Sequence, residues 1–298
     1  MNDIYATKTP RTCPVCRNCG EIKYQENIDL SRINSFTYSS RKVPELMHYE
    51  YRECRECELL FTSQIPAHED LLDSYEQAGF DAARESKFAA QTYIQTLKKA
   101  ITEKINSVLD VGCGDGEFIK ACLKTGIHRV QGIEPSLAAM SVAEPGIQER
   151  IFVGGYETYS VEEQFDVVTL FQTIEHIREP VDFLTKAKEF VRPGGYIAIA
   201  CHDYKSIANR MLGKKSPIFD IEHLQIFSKH SIAKAMASAG LKNVSVTPYR
   251  NVYPISYWAR LSPIPTRLKE GAILGGSWAN AISLGLPVGN VLALGKNH

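Results

Sequence analysis

The sequence predicts an α/β protein built on a mostly parallel sheet with helices on both faces, preceded by a small separate module. Strand-like and helix-like segments alternate from residue 107 to about residue 201, and such crossovers bury both faces of a sheet. An apolar strand, Ser107 to Val111, runs straight into Gly112, Gly114 and Gly116, and a helix follows. Residues 1 to about 65 hold five of the eight cysteines and show little helical periodicity. The chain is therefore divided into a module at 1–65 and a larger domain at 66–298.

In the module, Cys13-Pro14-Val15-Cys16 and Cys54-Arg55-Glu56-Cys57 are two matched knuckles. Four thiolates on two such turns supply the closed tetrahedral site that structural zinc prefers, with no open position for a catalytic water. Cys13, Cys16, Cys54 and Cys57 are the expected ligands; Cys19, three residues past Cys16, is a substitute or a free thiol.

From Leu71 to about Asn106 the pattern turns helical, with Ala90, Ile94, Leu97, Ile101 and Ile105 on one face. Strands follow at Val108 to Val111, Arg129 to Ile133, Ile151 to Val153, Phe165 to Phe171 and Tyr196 to Cys201. Helices are expected after Gly116, after Pro135 and from Pro180 to the turn Arg192-Pro193-Gly194-Gly195. The stretch from Asp203 to Gln225 is less regular, and Ser228 then caps a helix that stops at Gly240. Lys242 to Tyr249 and Gly289 to Gly295 read as two more strands. Between them an insert at 250–288 mixes Tyr253, Tyr257, Trp258, Leu261, Ile264 and Leu268 with three prolines. It is too apolar for a solvated linker, so it covers the sheet edge or a second copy, or serves as a substrate lid or a membrane-surface contact.

The glycine loop carries the chemistry. A dinucleotide fingerprint reads G-x-G-x-x-G, with pyrophosphate on a helix N-terminus. Here the spacing is G-x-G-x-G after an acid, Asp110. A carboxylate beside the loop is wrong for phosphate and suits a cationic ligand. About twenty residues on, Glu134 ends the second strand, where a carboxylate can accept hydrogen bonds from both ribose hydroxyls.

With 298 residues, 44% hydrophobic and 23% charged, the chain is long enough to bury a real core. Thirty-four basic residues balance thirty-four acidic ones, which disfavours a nucleic-acid partner. There is no apolar core of signal-peptide length and no run near about 18 apolar residues. A cytoplasmic protein is expected, in which paired cysteines bind metal.

Leu109-Asp110-Val111-Gly112-Cys113-Gly114-Asp115-Gly116 resembles the first motif of the class I S-adenosylmethionine-dependent methyltransferases. That resemblance implies a doubly wound, seven-stranded Rossmann-like sheet whose last two strands form an antiparallel hairpin, with Asp110, Gly112, Gly114 and Gly116 at the methionine part of the cofactor. It also implies an adenine contact after the third strand, where Gly154-Gly155-Tyr156-Glu157 stands. Gly155 occupies a position that is often acidic in the family, so Tyr156 or Glu157 becomes the candidate. Phe171-Gln172-Thr173-Ile174-Glu175-His176 resembles the segment that closes over the methionine end, with Gln172 nearest and His176 read as structural.

Phe219-Asp220-Ile221-Glu222-His223-Leu224-Gln225-Ile226-Phe227-Ser228 resembles the Glu-His-Leu-x-x-Phe-Ser segment of small-molecule methyltransferases, including zinc-ribbon enzymes acting on nucleotide-linked sugars. On that likeness His223 is the general base and Glu222 orients or polarises it; the alternative is that the pair ties the loop to the next helix. His202 is a weaker candidate. No Asn/Asp-Pro-Pro-Tyr and no Pro-Cys follows the fourth strand, which argues against amino-group methylation of adenine or glutamine and against cytosine C5 methylation. The expected activity is S-adenosylmethionine-dependent methyl transfer to carbon or oxygen of a small molecule, a sugar or related biosynthetic intermediate. A non-catalytic cofactor-binding scaffold and an RNA methyltransferase are the alternatives.

Overall fold

The computed structural model describes residues 8–34, 37, 45–66, 68–80, 83–262 and 278–298. The N-terminal region contributes β1 (Lys8–Pro10), β2 (Glu21–Tyr24), β3 (Tyr51–Glu53), β4 (Leu60–Thr62) and β5 (Gln64–Pro66). Two helices, α1 (His68–Glu76) and α2 (Ala83–Ala100), lead into β6 (Ser107–Val111), α3 (Glu117–Lys124) and β7 (Arg129–Glu134). Then come α4 (Leu137–Ser141), α5 (Pro145–Gln148), β8 (Ile151–Val153), β9 (Phe165–Phe171), α6 (Pro180–Ala187) and β10 (Val191–His202). The chain continues through α7 (Ile207–Leu212), β11 (Gln225–Ile226), α8 (Lys229–Ser238) and β12 (Lys242–Pro248). It ends with β13 (Asn251–Pro254), α9 (Ile255–Leu261), α10 (Trp278–Ala281), β14 (Ser283–Leu286) and β15 (Asn290–Lys296).

The central sheet has seven strands in the order β12-β15-β10-β9-β6-β7-β8. Strands β8, β7, β6, β9 and β10 run parallel, and β15 lies antiparallel between β10 and β12. This is the expected doubly wound α/β sheet with its antiparallel hairpin. Strand pleating sends neighbouring residues to opposite faces: Leu109, Val168 and Ile197 join the core beneath α6 and α8, while Val108, Val167 and Ala198 join the one beneath α2 and α3. Strands buried on both sides read as apolar runs, which is why β9 is buried along its whole length. Ser228 and Ser231 form a reciprocal cap at the start of α8, worth about 1 kcal/mol.

Three expectations change. The helical stretch read from Leu71 to Asn106 is two helices, because Gln77 to Phe80 leaves helical conformation around Gly79 and lays Ala78 and Phe80 into a cavity. The turn at 192–195 is not a clean break: β10 already begins at Val191 and shifts register before Tyr196, with Gly194 at φ 77°. In the N-terminal region, β2, β3 and β4 form a four-stranded sheet whose outer strand is β11, far downstream. The boundary expected between 65 and 66 falls inside β5, and Cys13, Cys54, Cys57, Leu59 and Phe61 share one apolar core with Leu109 and Phe227.

In the insert, β13 and β14 form a hairpin that packs on α2: Tyr253 approaches Phe88, and Arg260 pairs with Glu85 at 2.6 Å. The remainder of the insert, 263–277 with Pro263, Ile264, Pro265 and Leu268, lies outside the described residues.

Candidate active site

At the carboxyl ends of β6, β7 and β9, where the strand order reverses, two cavities open side by side. Ligands in open α/β sheets bind at such a switch point. The smaller, about 250 Å³, is lined by Gly112, Gly114, Glu134, Tyr156, Glu157 and Gln172, among others. The larger, about 520 Å³, is lined by Asp110, Asp115, His202, Asp220, His223 and the aromatic side chains of Tyr93, Tyr253, Tyr257 and Trp258. Gly112, Gly114, Phe171, Gln172, His176 and Glu222 line both.

The glycine loop is shaped by what surrounds it. Gly112 sits at φ 76°, and a Cβ there would lie 2.5 Å from Thr173 Oγ1. Gly116, at φ 71°, starts α3, and a Cβ there would lie 2.4 Å from Ile147 Cγ2. Both positions therefore require glycine on conformation and on space. Gly116 lines neither cavity; it turns the chain. Glu134 ties the loop to the next strand: Oε2 accepts from Gly114 N at 2.8 Å and Oε1 from Ser136 N at 2.9 Å. Each oxygen has a second lone pair for a hydroxyl.

Asp110 is buried behind the loop, accepts from Thr169 Oγ1 at 2.6 Å, and lines only the larger cavity. Burial raises its pKa to about 7. Tyr156 packs edge-on against Phe183, with ring centroids 4.4 Å apart. Gln172 is the non-glycine residue at the junction with φ 59°, held by its N–H to Ala200 O. Left-handed backbone at such a residue costs about 1–3 kcal/mol and clusters at functional sites.

Three histidines meet in or beside the larger cavity. The ring of His223 lies 5.0 Å from that of His176 and 5.5 Å from that of His202. His223 Nδ1 contacts Ile218 O at 2.8 Å. A carbonyl oxygen only accepts, so Nδ1 carries the hydrogen and Nε2 the lone pair. His202 is held by Asn290 Oδ1 at 2.7 Å, and burial lowers its pKa to about 4, so it is neutral at pH 7. His176 Nδ1 lies 3.1 Å from Glu222 O and 3.2 Å from the Tyr75 hydroxyl. Burial lowers its pKa as well. The Glu222 carboxylate stands 3.9 Å from His176 Nδ1, and ligand atoms of His176, Glu222 and His223 lie within 4.8 Å of one another. Glu222 thus faces both histidines, while a backbone carbonyl fixes the His223 ring. Beneath them Glu175 is fully buried, accepts from His202 N at 2.8 Å, and has its pKa raised to about 7 by burial.

Sequence reasoning did not pick out Tyr75, which sits among Asp73, Ser74 and Glu76 and reads there as a solvated helix position. The aromatic wall from the insert was legible only as apolar content.

Cys13, Cys16, Cys54 and Cys57 are brought together, away from both cavities. Their sulfurs lie 3.1–3.7 Å apart at three of the contacts. A tetrahedral zinc at about 2.3 Å from each sulfur spaces its ligands by about 3.8 Å, so the set fits zinc. Cys19 is exposed and is not among them.

The model of a family described as "methyltransferase domain" matches residues 80–246. The ubiquinone biosynthesis O-methyltransferase of Histophilus somni is 33% identical over 116 residues, 35% of this chain and 48% of that protein. That of Aromatoleum aromaticum is 28% identical over 167 residues, 50% of this chain and 71% of that protein. The chain thus spans about half the length of the first relative. Among solved structures, an S-adenosylmethionine-dependent methyltransferase from Archaeoglobus fulgidus has a TM-score of 0.49 and 16% identity, covering 78% of this chain and all of that one.

Two outcomes are expected. Purified protein carries about one zinc per chain, and Cys54→Ser loses the metal and lowers the thermal midpoint, as read by metal analysis and calorimetry. Asp110, whose pKa is raised on folding, stabilises the fold below the ordinary carboxylate range, and that contribution is lost as pH rises through about 7. The stability of Asp110→Asn relative to wild type therefore climbs between about pH 4 and pH 7, by up to about 4 kcal/mol, and then levels off in urea titrations.

Proposed function

Because the chain belongs to the methyltransferase domain family, we propose that it methylates a small molecule, a sugar or related biosynthetic intermediate, at carbon or oxygen with S-adenosylmethionine as donor. In this reading Gly112, Gly114, Glu134, Tyr156, Glu157 and Gln172 surround the cofactor, Gly116 turns the loop, and Asp110 supplies negative charge behind it. His223 is the general base. The cofactor supplies a methyl group on a sulfonium; the chain has to align the acceptor in line with it, exclude water and take a proton.

The observation that carries the reading is the shared wall. Gly112, Phe171, Gln172, His176 and Glu222 border both cavities, so a donor in one faces an acceptor in the other. What supports His223 as base is its tautomer, which puts the lone pair on Nε2, and the Glu222 carboxylate nearby. As the new bond to the methyl carbon forms and the carbon–sulfur bond breaks, Nε2 takes the acceptor's proton, and Glu222 favours the resulting imidazolium. No lysine or arginine is among the described residues that line the larger cavity, which supports an uncharged acceptor group over RNA.

The names of the relatives favour a second reading within the same chemistry, O-methylation of an intermediate such as those of ubiquinone biosynthesis. The wall of Tyr93, Tyr253, Tyr257 and Trp258 suits a flat ring. Eight free cysteines suit a reducing compartment, so we place the protein in the cytoplasm. No described helix is long and apolar enough to cross a membrane.

The test is transfer of a labelled methyl group to panels of nucleotide-linked deoxysugars and of hydroxylated aromatic acids. His223→Gln is expected to lower turnover by roughly a hundredfold or more, with S-adenosylhomocysteine affinity within roughly twofold of wild type. Undiminished turnover removes His223 from the reaction. Cofactor binding without transfer to either panel shifts the reading to a scaffold.

A further inference from the structure

The zinc-binding region does not hang from the domain as an independent unit. Its sheet takes β11 as its outer strand, with Gln225 opposite Phe61 and Ile226 opposite Leu60. Strand β11 lies immediately after Glu222, His223 and Leu224. Two side chains from the zinc-binding region reach this segment. The fully buried Tyr51 donates its hydroxyl to His223 O at 2.5 Å. Arg11, two residues before the first knuckle, spreads its guanidinium over five acceptors: Thr62 O at 2.9 Å, Arg178 O at 2.6 Å, Leu224 O at 2.6 Å, Gln225 Oε1 at 2.9 Å and, at 3.4 Å, Thr62 Oγ1. Gln225 in turn donates to Ile174 O and Ile177 O, and Leu224 N donates to Glu175 O. The segment holding His176 and the segment holding His223 are thus bound to each other and to the zinc-binding sheet through one arginine fork.

We propose that Tyr51 and Arg11 are positioning residues of the active site: they fix the backbone at 222–226 so that the His223 imidazole is held as the Nδ1–H tautomer, with Nε2 toward the acceptor cavity. The inference rests on the reading of His223 as the base. Its physical ground is that the Nδ1–H bond to Ile218 O spans only five residues, so its geometry follows the main chain at His223, and that main chain is anchored by Tyr51. A planar fork that satisfies three carbonyls and an amide at once sets orientation as well as attachment, which a lysine cannot reproduce.

The test uses the full-length zinc-loaded protein with isotopically labelled histidine, read by nitrogen-detected NMR, and calorimetry with S-adenosylhomocysteine as the probe. In wild type His223 shows one tautomer. In Tyr51→Phe, and more strongly in Arg11→Lys, a second tautomer is expected at roughly a tenth of the signal or more, with zinc content unchanged and cofactor-product affinity within roughly twofold. Val15→Ala, which thins the core around the cysteines and removes no hydrogen bond to 222–226, should lower the thermal midpoint and leave the tautomer alone. The proposal is overturned if His223 keeps one tautomer in Tyr51→Phe and Arg11→Lys, or if Val15→Ala disturbs it equally. No acceptor is needed for this readout, so a failure here is separate from a failure of His223→Gln to lower turnover.

Discussion

The site depends first on a steric constraint: the chain leaving β6 must pass so close to the segment after β9 and to α5 that no side chain fits at Gly112 or Gly116. Backbone with positive φ is then required, and only glycine adopts it without cost. Once the loop is pressed down in this way, the Gly114 N–H points at Glu134, and the carboxylate that closes β7 is held by two backbone donors. The smaller cavity is what remains between them. Its shape follows from sheet order and missing Cβ atoms more than from any one polar contact.

The larger cavity is built by a different principle. Its floor is the carboxyl end of the sheet, one wall is the β13–β14 insert resting on α2, and its polar end is the group of His176, His202, His223 and Glu222. Burial keeps His176 and His202 neutral at pH 7 and pushes Glu175 upward, while the carboxyl groups of Glu222 and Asp220 line the same cavity as His223. A proton taken up there is stabilised by nearby carboxylate and not opposed by neighbouring imidazolium. The sheet that carries the four-cysteine cluster backs this end of the cavity, pairing with β11 and reaching the His223 main chain through the Tyr51 hydroxyl.

The parts of this arrangement that were legible in the sequence are those set by local rules. The strand-to-glycine junction at 107–116, the acid at 134, the paired knuckles and the capping serine at 228 each combine residue type and spacing within a few residues. Strand ends at Phe165 and Phe171 agree with the observed ones because a parallel strand buried along its whole length leaves an unmistakable apolar run, and the edge strand at Ile151 to Val153 is legible from its β-branched and aromatic residues although Phe152 and Val153 are exposed. What the sequence did not disclose is long-range. Arg11 looks like a solvated charge beside a knuckle, yet three of its acceptors lie 167 to 214 residues away. The pairing of Gln225 with Phe61 has no local signature, and the insert revealed itself as a cavity wall only once α2 was in place. Glu222 and His223 were recognisable as a pair, but the group that orients the His223 ring, the carbonyl of Ile218, carries no side-chain identity to read.

The loop at 110–116, with Glu134, is the proposed S-adenosyl cofactor site. Calorimetric titration of S-adenosylhomocysteine into wild type and into Gly112→Ala tests it most directly, with circular dichroism to verify that both are folded. The account predicts binding in wild type and a loss of affinity of roughly tenfold or more in the variant, because the added Cβ must displace Thr173 or the loop. Equal affinity in the two folded proteins would contradict it.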